Sequence, residues 1–316
     1  EVPTRQALIF SSWVLALAII PLHGNWKQAS RAGQTDTFAF AHDLLDSVEP
    51  YGILITAGDN DTFPLWYAQE VEGVRKDVTV AVTSLLRTDW YVRQMIRRPI
   101  YPYDVARGPA VYRGHAWPLP TGSPVNMTTE QADLLPEILP VSQPQLFRKD
   151  SIEAVIPVGE IYKDQIVVLR EIRDSYPNRP LYFTSQSYPR ALGLGKYVAM
   201  QGLVAKLFPT PIVPGTRFME IPGYGFLDLP RSDSLWHEYT APASLVRHGE
   251  WVDRASSDIP LRYVITAALL SDVYRSRGDT AKATGYIDTA IKMARAARVE
   301  DVLGFSKGKP SAPGEH

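Results

Sequence analysis

The sequence predicts an α/β protein. It reads as a small sheet of three to four mainly parallel strands with flanking helices, a helical hairpin after it, and the end of a membrane helix before it. Three observations carry this. Two apolar, β-branched runs are each followed by a polar turn and a helical pattern. Two helical patterns of similar length meet at a Gly-Asp turn near the carboxyl end. The stretch from Ala7 to Leu22 carries no charge.

That opening stretch, ALIFSSWVLALAIIPL, has Arg5 before it and His23, Lys27 and Arg31 after it. A membrane-spanning helix wants about 20 apolar residues. Trp13 and Trp26 suit interfacial roles. Residues 1–26 are therefore read as a last transmembrane helix and its exit. A buried core helix and a signal sequence are the rival readings; no small-residue cleavage site follows the run. The first residue is Glu, so the sequence reads as part of a longer chain.

Residues 27–230 form the expected α/β region. Phe38, Ala41, Leu44, Leu45 and Val48 give helical spacing over Thr35 to Val48, which Pro50 and Gly52 end. Ile53 to Ala57 is continuously apolar, as a strand buried on both faces should be. Thr62 or Asp61 is placed to cap a helix over Phe63 to Glu72, with Pro64 in its first turn and Gly73 at its end. Val78 to Ser84 is a second strand, and Thr88-Asp89-Trp90-Tyr91 opens a helix to about Arg97. This β-α-β-α run is the mark of a parallel, Rossmann-like sheet.

Nine prolines between Pro99 and Pro144 predict an irregular excursion over about 99–146 with no regular element. Its aromatic residues, Tyr101, Tyr103, Tyr112 and Trp117, argue that it is ordered. Asp164 to Ser175 is then helical, Leu181 to Thr184 a third strand, Tyr197 to Phe208 a helix, and Arg217 to Ile221 a last strand. In 231–300, Leu261, Val264, Ile265, Ala268, Leu269 and Val273 share one helical face. After Gly278, Ala283, Tyr286, Ile287, Ala290, Ile291 and Ala294 repeat the pattern, giving an antiparallel, tetratricopeptide-like hairpin. A single hairpin needs either further repeats or the α/β part to cover it. Residues 301–316 read as a flexible polar tail.

Composition narrows the function. A formal charge of −1 gives no nucleic-acid footprint. With no cysteine there are no disulfides, thiolate metal sites or Cys nucleophile. The six histidines show no metal-ligand spacing. Gly193-Leu194-Gly195 and Gly223-Tyr224-Gly225 are fragments of Gly-rich motifs, without the strand context of a phosphate cradle. No cofactor is expected.

The best-placed candidate for ligand contact is Asp59-Asn60-Asp61-Thr62. It lies at the carboxyl end of the first strand, where open α/β sheets bind ligands. Two carboxylates around one residue suit a hard cation held against a diphosphate. They equally suit a turn whose carboxylates accept backbone N–H groups and favour the helix N-terminus. Trp66, Tyr67, Trp90 and Tyr91 either line a cleft for a sugar or peptide, or pack between helix and sheet. Arg87 and Asp89 either pair with each other or meet a ligand.

The run ILITAGDNDTFPLWYAQEVEGVRKDVTVAVTSLLRTDWYVRQM, residues 53–95, resembles the most distinctive segment of a bacterial membrane family of protein O-mannosyltransferase-like enzymes, of the GT-C glycosyltransferase type. The resemblance continues more weakly through Asn178 to Phe183 and Gly202 to Pro209. It implies that many membrane helices precede this chain and that residues after Leu22 lie outside the cytoplasm. It also implies transfer of a sugar from a lipid-phosphate donor to a protein hydroxyl by a carboxylate in an early loop that this chain lacks. No catalytic residue then falls in this chain. Its partners are the upstream transmembrane portion, an acceptor protein and the lipid-linked sugar. Two other readings stay open: a membrane-anchored binding or scaffolding module, and a metal-dependent nucleotide-sugar transferase using Asp59 and Asp61.

Overall fold

A computed structural model describes residues 4–30 and 32–303. The polar tail from Ser306 lies outside the described residues; the start of the expected flexible tail instead closes a short 3-10 helix, Glu300–Leu303.

The first helix, α1, runs from Arg5 to Ala29. Its segment Arg5–Trp26 is long and apolar enough to cross a membrane, and none of it is buried. At 1.5 Å per residue these 22 residues span about 33 Å, the depth of a hydrocarbon core. Phe10, Trp13, Leu15 and Ile20 are all exposed. A core helix would bury such side chains, so that reading is set aside. The helix also continues beyond the uncharged stretch, which makes it longer than Ala7 to Leu22 alone suggests.

The domain begins with α2 (Asp36–Asp46), β1 (Ile53–Thr56), α3 (Asp59–Glu70), β2 (Thr79–Val82), a short α4 (Thr83–Leu86) and α5 (Asp89–Arg97). Every residue of β1 and β2 is buried. Alternate strand residues face opposite sides, so both faces of the sheet are covered here. α3 starts four residues earlier than Phe63, with Gly58 as its N-cap.

The Pro-rich region is ordered but not free of regular structure. It holds a 3-10 turn at Ala110–Tyr112, the short α6 (Thr129–Asp133), β3 (Ile138–Val141) and the start of β4 (Gln145–Lys149). β5 (Ile152–Ile156) and β6 (Gly159–Tyr162) follow, then α7 (Lys163–Ser175) and β7 (Leu181–Phe183). β3 pairs with β6, and β4 with β5, as two antiparallel ribbons. Pro140 is tolerated in β3 because that ribbon has only two strands, so a missing N–H can face outward.

Next come α8 (Ser187–Ala191), β8 (Val198–Gln201), β9 (Val204–Leu207), β10 (Phe218–Ile221) and β11 (Gly225–Asp228). The expected helix over Tyr197 to Phe208 is therefore a hairpin. Gly202 breaks the helical pattern: at φ +61° it forms a two-residue turn with Leu203. The main sheet has seven strands in the order β10-β11-β8-β9-β7-β1-β2. β7, β1 and β2 are parallel, as expected. β9 runs antiparallel to both β7 and β8, and β10 to β11. The sheet is thus mixed, and larger than three to four strands.

The carboxyl part adds α9 (Leu229–Glu238) and α10 (Ala241–His248), then the hairpin α11 (Asp258–Ser276) and α12 (Thr280–Ala297). Gly278 turns the hairpin at φ +81°. Tyr263, Val264 and Ala267 of α11 and Ala290, Met293 and Ala294 of α12 join one core with Phe40, Leu44 and Leu54. The hairpin is therefore covered by the α/β part. Asp43 of α2 ties the two together: its carboxylate accepts from Thr240 N (2.9 Å), Ala241 N (3.0 Å) and the Tyr263 hydroxyl (2.8 Å). Burial pushes this carboxyl up to about 6, against the pull of those hydrogen bonds.

Candidate functional site

The Asp59–Thr62 turn divides its work. Asp61, at the third position of α3, is buried. Its carboxylate reaches back to the N–H groups of Ala57 (3.2 Å) and Gly58 (2.8 Å), accepts from the Thr184 hydroxyl, and lies 3.6 Å from Arg262 Nη2. Neither Thr62 nor Asp61 is the N-cap, which is Gly58; of the two aspartates only Asp61 accepts backbone N–H groups, reaching backward from the third position of the helix. Thr62 hydroxyl meets that of Thr56 at 2.8 Å inside the core. Asn60 points the other way and donates to the Ala255 carbonyl (3.1 Å) and the Asp258 carboxylate (2.7 Å). Asp59 is exposed. The two carboxylates do not converge, and among the described residues no three His, Cys, Asp or Glu side chains gather to hold a metal.

Arg87 and Asp89 do not pair with each other. Arg87 Nε donates to Asp164 (2.9 Å) and lies over the Tyr162 ring, while Asp89 meets the buried ammonium of Lys163. Asp164 also accepts from the Tyr188 hydroxyl at 2.8 Å. These crossed pairs clamp the start of α7 to the β2–α5 joint.

The four aromatics do not share a cleft either. Tyr91 is buried, donating to the Val80 carbonyl (3.0 Å) and accepting from Val82 N–H (3.3 Å). Trp66 packs partly buried against the core beside Phe63. Tyr67 is exposed, with its hydroxyl on Glu72 (3.0 Å), and Trp90 is exposed with its ring edge on Tyr91.

What the fold does gather is a cleft of about 420 Å³ just beyond the carboxyl end of β7. The loop Thr184 to Ser187, Gly223 and Tyr224 of the following turn, and α11 form its walls. Arg262 is held in it by the Thr184 carbonyl (2.7 Å) and Asp61, leaving its Nε without a partner. Arg190 Nη2 donates to the Gln186 side-chain carbonyl (2.7 Å), and the Gln186 Nε2 is also without a partner. Gly225 makes this possible. A Cβ there would lie 2.6 Å from Arg190 Nη2 and 3.1 Å from Gln186 Oε1, at φ +111°. Burial raises the Tyr224 phenol, while the nearby Arg262 and Arg190 guanidiniums lower it.

Of the expected site residues, Asn60 and Asp61 support this cleft from behind. Arg190, Gln186, Tyr224 and Arg262 were not singled out in the sequence. The paired glycines around Tyr224 were the one available signal, because their purpose is close approach of another chain segment. Arg262 sits in an ordinary helical pattern, and nothing local marks it.

Residues 37–105 match a family model described as TMEM260-associated domain 2. The matched stretch runs from α2 past α5 and includes both strand-to-helix joints. No curated protein and no solved structure matches the chain.

Proposed function

We propose that this chain is the extracytoplasmic end of a membrane-embedded glycosyltransferase of the O-mannosyltransferase-like kind. Arg5–Trp26 is its last membrane helix, and the α/β domain an accessory part that has no activity alone. The observation that carries the reading is the wholly exposed, membrane-length helix joined directly to a domain with an open cleft at its strand ends. The match to a TMEM260-associated domain supports a membrane-protein setting, and the resemblance of residues 53–95 supports the enzyme class. On this reading β7, β1 and β2 are a Rossmann-like unit and α11–α12 a tetratricopeptide-like hairpin that holds acceptor or closes over the catalytic face. Catalysis belongs to a carboxylate of the upstream membrane portion.

The test is sugar transfer from a lipid-linked donor to a peptide hydroxyl in membranes. The parent protein is expected to transfer; deletion of residues 35–303 is expected to lower transfer; this chain by itself is expected to give none. Turnover by this chain alone, or unchanged transfer after the deletion, sinks the proposal.

A second reading, a membrane-anchored binding module, draws on α3. Phe63, Tyr67 and Val71 recur at helical spacing, all exposed, with Phe38 of α2 against Tyr67. An apolar face of this kind marks a contact surface. Transfer unaffected by the domain, together with loss of a bound protein on Tyr67→Ser, would favour it. The metal-dependent reading predicts Mn²⁺ binding lost in Asp59→Ala and Asp61→Ala; with Asp61 fully engaged, titration is expected to show none.

A further inference from the structure

We infer that the cleft beyond β7 binds the phosphoryl group of an anionic ligand, with Arg190 and Arg262 as its charge partners. Two guanidiniums face one opening. Arg262 is part-neutralised by Asp61 at 3.6 Å, but Arg190 has only the neutral Gln186 side chain and the Gly223 carbonyl as partners. Among the described residues no carboxylate stands within ion-pair distance of Arg190. A cation left without a counter-charge beside a cleft is a standing attraction for an anion, and a guanidinium fork matches phosphate geometry.

The supply of donors fits as well. Arg262 Nε and Gln186 Nε2 are both unpartnered, and N–H donors of this kind normally find an acceptor. Ser185 and Ser187 share one hydroxyl-to-hydroxyl bond of 2.7 Å, which leaves one hydroxyl proton to give. Gly225 keeps the guanidinium close to the turn, and any larger residue would displace it. Among the lining residues two guanidiniums stand against one carboxylate, Asp258, which accepts from Asn60 and keeps its charge. The position agrees with the general rule that ligands of open α/β sheets bind beyond the carboxyl ends of strands.

Asn60 links this cleft to a separate recess at the end of α1. Gly24 and Trp26 border that recess with Trp251 and Ala255, and the Ala255 carbonyl accepts from the same Asn60 that holds Asp258. The phosphoryl group therefore comes either from a lipid headgroup at a membrane surface or from a small molecule in water. The inference rests on the cleft being a ligand site, not on sugar-transfer chemistry.

The test uses the full chain in detergent and in lipid nanodiscs. Pyrophosphate is titrated calorimetrically in detergent at low salt; nanodiscs of phosphatidylcholine are compared with ones containing phosphatidic acid, reading the shift in melting temperature. Binding of pyrophosphate assigns a soluble source; a shift with phosphatidic acid alone assigns a lipid headgroup. Arg190→Gln is expected to weaken binding about tenfold or more, and Arg190→Lys to weaken it less, the loss of one charge-assisted contact. Gly225→Ala should act as Arg190→Gln does without removing a charge. Melting curves without ligand confirm that each variant folds, and Arg190→Gln decides if Gly225→Ala does not. No response in either arm, or unchanged binding by Arg190→Gln, overturns the inference. Phosphate binding with a domain dispensable for transfer would sink only the transferase reading.

Discussion

The two aspartates of one turn have opposite fates, and the difference is measurable. Asp61 satisfies two backbone N–H groups, a buried hydroxyl and part of a guanidinium. Asp61→Ala strands all of them and is expected to cost about 2–4 kcal/mol. Asp59→Ala, on the surface, should stay within about 0.5 kcal/mol. Urea unfolding of the two variants separates them; equal effects would refute the assignment. Glu171 offers a second test. It is completely buried, both its oxygens lack partners, and burial pushes its carboxyl up to about 8, with Arg179 pulling the other way. A carboxyl whose pKa is raised by folding holds its proton in the native state while the unfolded chain releases it. Its contribution is thus full below about pH 4.5 and is lost as pH rises toward 8, on the order of 4–5 kcal/mol in total. Glu171→Gln cannot ionise. Its stability relative to the parent should climb between pH 5 and pH 9 in urea melts; a constant difference would show that Glu171 does not titrate there. The sequence marked the α7 face around Ile172 as apolar, but nothing local told that Glu171 would be sealed with it.

At the scale of elements, the strands and helices with a clean period were readable. β1 and β2 stood out because both of their faces are buried, so every residue is apolar or β-branched. The α11–α12 hairpin stood out because both helices carry an apolar helical period around a Gly turn, although the sealed face of α11 is Tyr263, Ala267 and Leu270 rather than Leu261, Ile265 and Leu269. The β8–β9 hairpin did not, because Met200, Val204 and Leu207 also fit a helical spacing, and the deciding feature is a positive φ at Gly202. That feature predicts its own test. A Cβ at Gly202 would fall 2.0 Å from the Tyr239 hydroxyl, which itself contacts Ser47 (2.6 Å) and Leu203 N–H (3.1 Å). Gly202→Ala is expected to cost about 2–4 kcal/mol from backbone strain and the displaced hydroxyl. Gly73→Ala, at φ +69° with open space around it, isolates the strain part alone; equal losses in thermal melts would show that the Tyr239 clash contributes nothing.

For the whole molecule, α1 and the domain are separable in their energetics. The apolar stretch of α1 is not buried, so it adds nothing to the core. Removing residues 1–34 should leave the melting temperature of the domain unchanged while moving the protein from the carbonate-washed membrane pellet to the supernatant; a large drop in melting temperature would show that α1 is a structural helix after all. By itself the sequence determined the α/β class, the β1-α3-β2 unit, the closing hairpin and the apolar opening, because periodicity and turn chemistry are local properties of the chain. Only the tertiary structure decided the mixed seven-stranded sheet, the crossed pairs of Arg87 with Asp164 and Asp89 with Lys163, and the cleft of Arg190 and Arg262. Those depend on which distant segments meet, and a side chain's electrostatic role is set by the neighbours that folding brings to it.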